Sequence, residues 1–163
     1  MELTEGEKIK LDAKDKRIIE QLQLNCRQSI AEIAKKTKLP RDVVMYRIKR
    51  LEKEKVIRAH HTFLNPSKLG YPLYVYVTFA CYNISPEKEK SFVSYLVGLK
   101  NAIYVAKTSG NYDFTLGVCA KDYFEYDAII SEIRRRFADV IKDIAAQPTI
   151  QEYKFDWMVD LIV

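Results

Sequence analysis

The chain has 163 residues, of which 48% are hydrophobic and 30% are charged, and its formal net charge is +5. This composition suits a packed globular protein and excludes an intrinsically disordered chain, and no run approaches the ~18 uninterrupted apolar residues of a membrane span. The positive excess is confined to residues 1–59, which hold 16 basic and 10 acidic residues. Residues 60–163 hold 11 basic and 12 acidic residues. This positive charge fits either a solvated lysine-rich surface or a patch that faces phosphates, and charge alone does not decide between them.

The chain begins with a polar tail, residues 1–11, and a helix is predicted from Asp12 to about Leu24. Ser29 is a good N-cap for a second helix, and Glu32 stands three residues later. This spacing is typical of a capping box, in which the two side chains bond each other's backbone N–H groups. Two short helices are therefore expected before residue 38.

A third helix is predicted from about Pro40 to Glu54. Val44, Ile48 and Leu51 recur at i, i+4 and i+7 and should face inward, which leaves a basic outer face. A charged outer face alone is also what an ordinary amphipathic helix presents to water. The capped partner helix, the short turn and the local charge favour a helix-turn-helix that reads DNA.

Side chains near the start of such a helix reach base edges, and flanking cations meet phosphates. The predicted base contacts are Arg41, Asp42, Met45 and Tyr46, and the predicted phosphate contacts are Arg27, Ser29, Arg47, Lys49 and Arg50. Arg47 has an alternative, because it could equally pair with Glu20 or Glu32 inside the domain.

The domain boundaries follow from turn residues. Residues 1–59 are predicted to be the DNA-binding domain, residues 60–72 a linker strand, and residues 73–163 a second domain. In that domain, strands are predicted at Leu73–Tyr82, Ile103–Thr108, Tyr112–Ala120 and within Thr149–Trp157, with helices after Ser85 and after Asp122. This βαββαβ order is the ferredoxin-like arrangement.

Three stretches in order resemble the Lrp/AsnC family of regulators: Leu11–Asp15, Arg27–Ala34 with Arg47–Glu52, and Ser109–Val118. The resemblance implies an α+β protein with an N-terminal winged helix-turn-helix and a C-terminal ferredoxin-like domain. It also implies a sequence-specific DNA-binding transcriptional regulator modulated by a small effector. The partners implied are double-stranded DNA and an amino acid.

The chain departs from the family pattern at three positions. Lys38 and Lys55 stand where the family usually has glycine, and Pro40 stands where it usually has a serine N-cap. A residue other than glycine at a left-handed helix end costs stability. The altered N-cap at Pro40 affects where the recognition helix starts and how far it reaches into DNA.

The resemblance places an effector site between subunits near a glycine hairpin. The candidate residues are Ser109, Gly110, Asn111, Tyr112 and Asp113, with Thr149 near the last strand. Backbone N–H groups at such a turn can hold a carboxylate, and Asp113 could pair an amino group. The alternative is a structural turn that Gly110 permits and Asp113 caps.

Assembly is expected from the second domain. Two helices should cover one sheet face, and the other face should carry Tyr74, Tyr76 and Phe79 or their alternates. A single chain would leave that apolar face exposed, so a homodimer is predicted. The resemblance implies further assembly into octamers.

One enzyme alternative shares the two-domain fold. Siroheme decarboxylases of haem synthesis resemble this family, and Arg58, His60 and His61 would then be the tetrapyrrole-binding candidates. The basic third helix would be superfluous in such an enzyme, so no catalytic activity is expected. No metal site and no cofactor are predicted, and Cys26, Cys81 and Cys119 read as reduced thiols of a cytoplasmic protein.

Overall fold

A computed structural model describes residues 7–163, and residues 1–6 of the predicted tail lie outside the described residues. The chain divides into two compact units. The first comprises the residues up to Phe63 together with Tyr153–Val163, and the second comprises Leu64–Glu152. Within residues 7–163, no helix is long and apolar enough to cross a membrane.

The first unit contains the three predicted helices, which are confirmed as α1 (Ala13–Leu24), α2 (Ile30–Thr37) and α3 (Arg41–Lys53). Their inner faces form one core, as the spacing predicts. The buried members of this core are Ile18, Ile33, Ala34, Val44 and Ile48. Leu51 is also fully buried.

Local capping explains where these helices begin. Asp12 caps α1, since its carboxylate accepts the N–H groups of Lys14 at 2.8 Å and Asp15 at 2.9 Å. The capping box predicted at α2 is confirmed, because Ser29 Oγ accepts the Glu32 N–H and Glu32 Oε2 accepts the Ser29 N–H. α3 has no such bond, and Pro40 is its N-cap.

Two lysines adopt the left-handed conformation. Lys38 closes α2 with a φ of 55°, and Lys55 follows α3 with a φ of 56°. These are two positions at which the resemblance expects glycine. Because a Cβ makes this conformation unfavourable for L-residues, the surrounding fold must stabilise both turns.

The C-terminal segment, residues 153–163, packs on α1. The Gln23 side chain bonds three of its backbone groups: Oε1 accepts the N–H groups of Met158 at 3.1 Å and Val159 at 2.9 Å, and Nε2 donates to the Asp156 carbonyl at 2.6 Å. Lys16 Nζ donates to the Ile162 carbonyl at 2.6 Å. The predicted second domain therefore includes a segment that the structure groups with the first unit.

The second unit is a four-stranded antiparallel sheet with two helices. Its elements in chain order are β1 (Leu73–Cys81), α4 (Pro86–Gly98), β2 (Ala102–Lys107), β3 (Phe114–Ala120), α5 (Tyr123–Arg136) and β4 (Ile141–Pro148). The strand order is β2-β3-β1-β4. This is the ferredoxin-like topology that the element order predicts.

One face of this sheet is buried. Val75, Val77 and Phe79 of β1 pack in a core cluster with residues of α4 and α5. Phe92 is its aromatic centre, with ring centroids 5.4 Å from Phe79, 5.5 Å from Phe114 and 5.0 Å from Phe137 in T-shaped contacts.

The other sheet face carries tyrosines. Alternation along β1 puts Tyr74 and Tyr76 on this face, where the Tyr74 hydroxyl donates to the Tyr76 hydroxyl at 2.8 Å. The Tyr104 ring meets the Tyr76 ring edge-on at 6.2 Å. The placement of Phe79 on this face was wrong, since it shares the parity of Val75 and is fully buried.

Two predicted strands were also misplaced. The last strand is Ile141–Pro148 and precedes the predicted Thr149–Trp157. As an edge strand it pairs only with β1 and tolerates Lys142, Asp143 and Gln147, whose polarity hid it from a search for apolar residues. The predicted linker strand at 60–72 is irregular, with a 3₁₀ turn at Pro66–Leu69.

Candidate nucleic-acid interface and effector site

The outer face of α3 is open to solvent. Six side chains were predicted to project outward, and five of them are exposed: Arg41, Asp42, Met45, Tyr46 and Lys49. The sixth, Arg50, is half-buried. Tyr46 is 68% exposed and Met45 is 44% exposed, which is high for residues of their hydrophobicity. Their placement follows from the burial of Val44, Ile48 and Leu51 on the opposite side of the helix. The outer face of α3 therefore presents both cationic and apolar side chains on a single helix.

Arg47 and Arg50 are placed differently from these side chains. Arg47 Nη1 lies 2.8 Å from an oxygen of Asp12 and 2.8 Å from Asp15 Oδ1, and Arg50 Nη2 lies 2.6 Å from Asp15 Oδ2. Both arginines therefore have protein partners where a phosphate contact was predicted. The partner of Arg47 is neither Glu20 nor Glu32, as its alternative role supposed.

Asp15 was not predicted as a partner, although a pattern for it exists. It stands at i relative to Ile18 (i+3) and Leu22 (i+7), so it lies on the apolar stripe of α1 and is 1% exposed. An ionised carboxylate in such a position needs cations and hydrogen bonds to offset its desolvation. An acidic residue on the apolar stripe of α1 is therefore the sequence signal that indicates Asp15 as a member of a buried ion pair.

Asp12 completes this electrostatic arrangement. The Asp15 backbone N–H and the Arg47 guanidinium together lower the pKa of the Asp12 carboxyl to about 2. Burial alone would lower the pKa of Arg47, but its hydrogen bonds to the Asp15 and Asp12 carboxylates outweigh this effect and raise that pKa. The charged forms of both groups are thus the stable forms in the folded unit.

Two predicted phosphate contacts lie at the start of α2. The Arg27 side chain is exposed. The Ser29 hydroxyl is engaged locally, because it accepts the Glu32 N–H at 3.2 Å and donates to Glu32 Oε2 at 2.8 Å. Contact of Ser29 with a phosphate would have to compete with this capping box.

The predicted effector hairpin joins β2 to β3. Gly110 has a φ of +130°, a conformation that side chains disfavour. Thr108 and Asp113 close the turn, since the Thr108 N–H donates to the Asp113 carbonyl at 2.7 Å. Ser109 and Asn111 are exposed, whereas Tyr112 is half-buried and its hydroxyl lies 3.5 Å from Asp143 Oδ2.

The Asp113 side chain has a structural contact. Its Oδ2 accepts the Cys81 N–H at 2.7 Å, at the point where the register of β1 and β4 shifts. The Asp113 carboxylate therefore accepts the Cys81 N–H at the irregularity in the pairing of β1 with β4. This supports the alternative role of Asp113 as a cap.

Thr149 is not brought next to this hairpin within one chain. Its N–H donates to the Tyr74 carbonyl, whereas the Asp113 N–H donates to the Phe79 carbonyl. The two carbonyls are five residues apart on β1, which corresponds to about 17 Å. The predicted effector set thus divides between the two ends of the sheet.

The two histidines of the enzyme alternative have separate contacts. His60 Nε2 lies 3.0 Å from Glu52 Oε1, and the His61 ring contacts the Phe63 ring edge-on at 5.2 Å. Each histidine ring thus has a different neighbour. Among the described residues, no group of three or more His, Cys, Asp or Glu could hold a metal ion.

Known proteins share this architecture. The family model described as winged helix-turn-helix DNA-binding matches residues 11–58. An uncharacterised HTH-type transcriptional regulator of Pyrococcus horikoshii is 33% identical over 77% of each chain. The leucine-responsive regulatory protein of Haemophilus influenzae is 30% identical over 88% of this chain and 86% of its own length. The chain belongs to the Lrp/AsnC family.

Solved structures agree on the fold of this Lrp/AsnC protein. An AsnC family transcriptional regulator from Agrobacterium tumefaciens has a TM-score of 0.82 at 24% identity, covering 94% of this chain and all of its own. A transcriptional regulator from Neisseria meningitidis, solved as a complex with L-Met, has a TM-score of 0.80 at 18% identity and covers 89% and 93%. These structures show the two-domain α+β fold of the family, and the matching family model and sequence relatives show that the protein is a DNA-binding transcriptional regulator.

Proposed function

We propose that this Lrp/AsnC regulator reads operator DNA with the outer face of α3. The observation that carries the proposal is the exposure of Arg41, Met45, Tyr46 and Lys49 while the apolar side of the same helix is buried. An α-helix fits the major groove, and its N-terminal side chains reach base edges. Arg41 is suited to bidentate contact with guanine, and Met45 or Tyr46 to a thymine methyl group.

Phosphate contact is assigned to cations with free reach. Arg27, before α2, and Lys49, on the outer face of α3, are both exposed. We term that outer face the reading face, and it is formed by Arg41, Met45, Tyr46 and Lys49. Asp42, an acid in the first turn of α3, is suited to accept a cytosine amino group. Ser29 is the weakest member of the predicted set, since Glu32 already occupies its hydroxyl.

The proposed active form is a homodimer built on the tyrosine face of the sheet, defined by Tyr74, Tyr76 and Tyr104. Burial raises the pKa of Tyr74, and its hydrogen bond to Tyr76 raises it further, so the Tyr74 hydroxyl stays neutral as an apolar contact requires. A two-fold dimer presents two α3 helices, and its operator should hold half-sites about 10 bp apart or a multiple of that. Octamers are the further assembly proposed.

An amino acid is the proposed effector. The Neisseria neighbour of the same fold was solved with L-Met, and the Gly110 turn offers backbone groups beside the exposed Ser109 and Asn111. Thr149 could join this hairpin only from a second subunit, because about 17 Å separates them within a chain. The effector site proposed here therefore lies between subunits.

The DNA-reading proposal is tested by measuring the Kd of operator and random duplexes over 50–200 mM salt. Each neutralised phosphate contributes about −0.9 to the slope of log K against log salt. Arg41→Ala should reduce the preference for operator by about 1–3 kcal/mol, whereas Lys49→Ala should weaken all duplexes alike. Arg135→Ala, an exposed arginine paired with Glu132 in the second unit, is the control. Salt-independent binding would contradict the proposal.

The effector proposal is tested by titrating each of the twenty amino acids and measuring operator affinity. Coupling should change that affinity about 5-fold or more for at least one of them. Asp113→Asn should abolish the change, and Asp127→Asn, an exposed acid on α5, should keep it. If no amino acid binds or alters DNA affinity, the hairpin is only a turn.

The proposal also holds that the protein acts without catalysis in the cytoplasm. The relatives whose roles are named, such as the leucine-responsive regulatory protein, are regulators of transcription. The enzyme alternative predicts that added siroheme binds and gives a visible absorbance band. Uptake of siroheme with loss of its carboxylate groups would overturn the regulator assignment.

A further inference from the structure

Four charged side chains form a cluster between α1 and α3, here termed the Asp15 cluster. Its members are Asp12, Asp15, Arg47 and Arg50. Asp15 is central: it is 1% exposed, and each of its oxygens contacts a different arginine, at 2.8 Å for Arg47 and 2.6 Å for Arg50. A buried carboxylate is thus held by two cations from the helix that carries the reading face.

The cluster is tied to the start of α1 as well. Asp12 N–H donates to Asp15 Oδ2 at 3.1 Å, and the Asp15 N–H donates to Asp12 Oδ1 at 2.9 Å. Arg47 bridges the two acids, since its Nη1 also contacts both Asp12 oxygens. The N-cap of α1 and the middle of α3 therefore share one hydrogen-bonded network, which limits how α3 can rotate or slide on α1.

Arg47 of the cluster lies off the reading face. Lys49 follows Arg47 by two residues, so the two side chains lie about 160° apart on a helix with 100° per residue. Arg50 is also turned toward α1 by its contact with Asp15. A groove contacted by Lys49 and Tyr46 does not receive Arg47.

We propose that Asp15 is a positioning residue for DNA reading, which acts through Arg47 and Arg50 and sets the angle at which α3 enters the groove. This inference rests on the proposed function of α3 and replaces the predicted phosphate contacts of the two arginines. Each arginine meets Asp15 through one nitrogen, Nη1 of Arg47 and Nη2 of Arg50. The planar, rigid guanidinium suits this task because it fixes the direction of that nitrogen, whereas an ammonium group rotates freely on a flexible stem. A bidentate base contact by Arg41 depends on the angle of α3, whereas attraction to phosphate does not.

The inference separates two quantities that one experiment can measure. The salt slope counts the cations that neutralise phosphates, and the ratio of random to operator Kd reports how well α3 is aligned with the bases. If the arginines position α3, their replacement lowers the ratio and leaves the slope unchanged. If they contact phosphates, the slope falls by about 0.9 for each.

The test uses the full chain carrying Asp15→Leu, Arg47→Met and Arg50→Met together, because an apolar triad of similar volume is often tolerated where a single deletion leaves an unpaired charge. The matched control, Arg27→Met with Lys49→Met, also removes two cations. We expect the triad to keep the wild-type slope and lose about tenfold in the ratio of random to operator Kd. We expect the control to lose about 1.8 from the slope.

A second variant keeps the test decisive if the triad does not fold. Arg47→Lys with Arg50→Lys retains both charges but not the rigid, planar guanidinium. The inference predicts a reduced ratio at wild-type slope, whereas an unchanged ratio would overturn it. A fall of about 1.8 in the slope of the folded triad would also overturn it while leaving DNA reading by α3 intact. Wild-type protein that shows no salt-dependent binding would instead refute the proposed function itself.

Discussion

The left-handed lysines Lys38 and Lys55 carry a local cost in this fold. An L-residue in this conformation is disfavoured by about 1 kcal/mol or more. Replacing the lysine with glycine removes this cost, but the greater chain entropy of glycine in the unfolded state offsets part of the gain. Lys38→Gly and Lys55→Gly should therefore each raise the free energy of unfolding of the first unit by about 0.5 kcal/mol. Denaturant titration followed by circular dichroism measures this.

Lys35→Gly is the control for these substitutions, since Lys35 is exposed inside α2 with ordinary helical geometry. Glycine there should lower the free energy of unfolding by about 1 kcal/mol. A loss of stability in all three variants would show that the two lysines are not strained.

Asp12 makes the first unit sensitive to acid. Its pKa is about 2 in the folded unit against 3.8 for the free side chain. Its contribution is therefore fully present above about pH 4 and is lost as the pH falls toward 2. Because half of the side chain is exposed, solvent screening limits this contribution to about 1 kcal/mol or less.

Asp12→Asn should accordingly flatten the fall in the free energy of unfolding between pH 4 and pH 2. Asp42→Asn, which changes an exposed acid in the first turn of α3, serves as the control and should keep the wild-type fall. Equal slopes in wild type and Asp12→Asn would contradict the ion-pair account of this N-cap.

At the scale of elements, the C-terminal segment should stabilise α1. Gln23→Ala leaves three backbone groups of residues 156–159 without the amide, which should cost about 1–2 kcal/mol of unfolding free energy. The N–H groups of Met158 and Val159 should then exchange with deuterium faster. Gln21→Ala alters a neighbouring glutamine of α1 and should leave these two amides protected.

A substitution at Val159 tests the docking of the C-terminal segment by a second measurement. It is 3% exposed and is the buried side chain of its short 3₁₀ turn. Val159→Asp should release residues 153–163 to proteolysis, while α4 and α5 keep their exchange protection. Unchanged protection of Met158 and Val159 in the Gln23 variant would show that the segment is held by other contacts.

Element predictions succeeded where the determining contacts are local. The caps Asp12, Ser29, Ser85 and Asp122 each bond an N–H within three residues, so short sequence patterns indicate them. β4 was missed because an edge strand needs no continuous apolar run. The docking of the C-terminal segment was missed because Gln23 and Met158 are 135 positions apart, and their contact has no periodic pattern.

For the candidate DNA-binding face, the sequence predicts which side chains are exposed but not which of them have partners inside the protein. The burial of Val44, Ile48 and Leu51 follows from helical periodicity, and it identifies the exposed reading face. Periodicity does not identify the partner of each cation on the flanks. Arg47 and Lys49 look alike in the sequence, and only the position of Asp15 in space distinguishes them.

For the whole molecule, the proposed dimer predicts that its apolar face does not tolerate charge. Tyr76→Glu should raise the dimer dissociation constant about thirtyfold or more, the equivalent of a 2 kcal/mol hot spot. Sedimentation velocity measures the change. Tyr82→Glu, at an exposed tyrosine just beyond β1, is the control and should leave the dissociation constant unchanged.

The central claim, that the outer face of α3 meets DNA, is tested most directly by photocrosslinking. A benzoylphenylalanine replaces Tyr46, which is 68% exposed on α3, or Tyr123, which is 67% exposed in the second unit, and the protein is irradiated with an operator duplex. The account predicts a covalent DNA adduct from position 46 that excess salt abolishes, and none from position 123. Adducts of equal yield from both positions, or from position 123 alone, would contradict it.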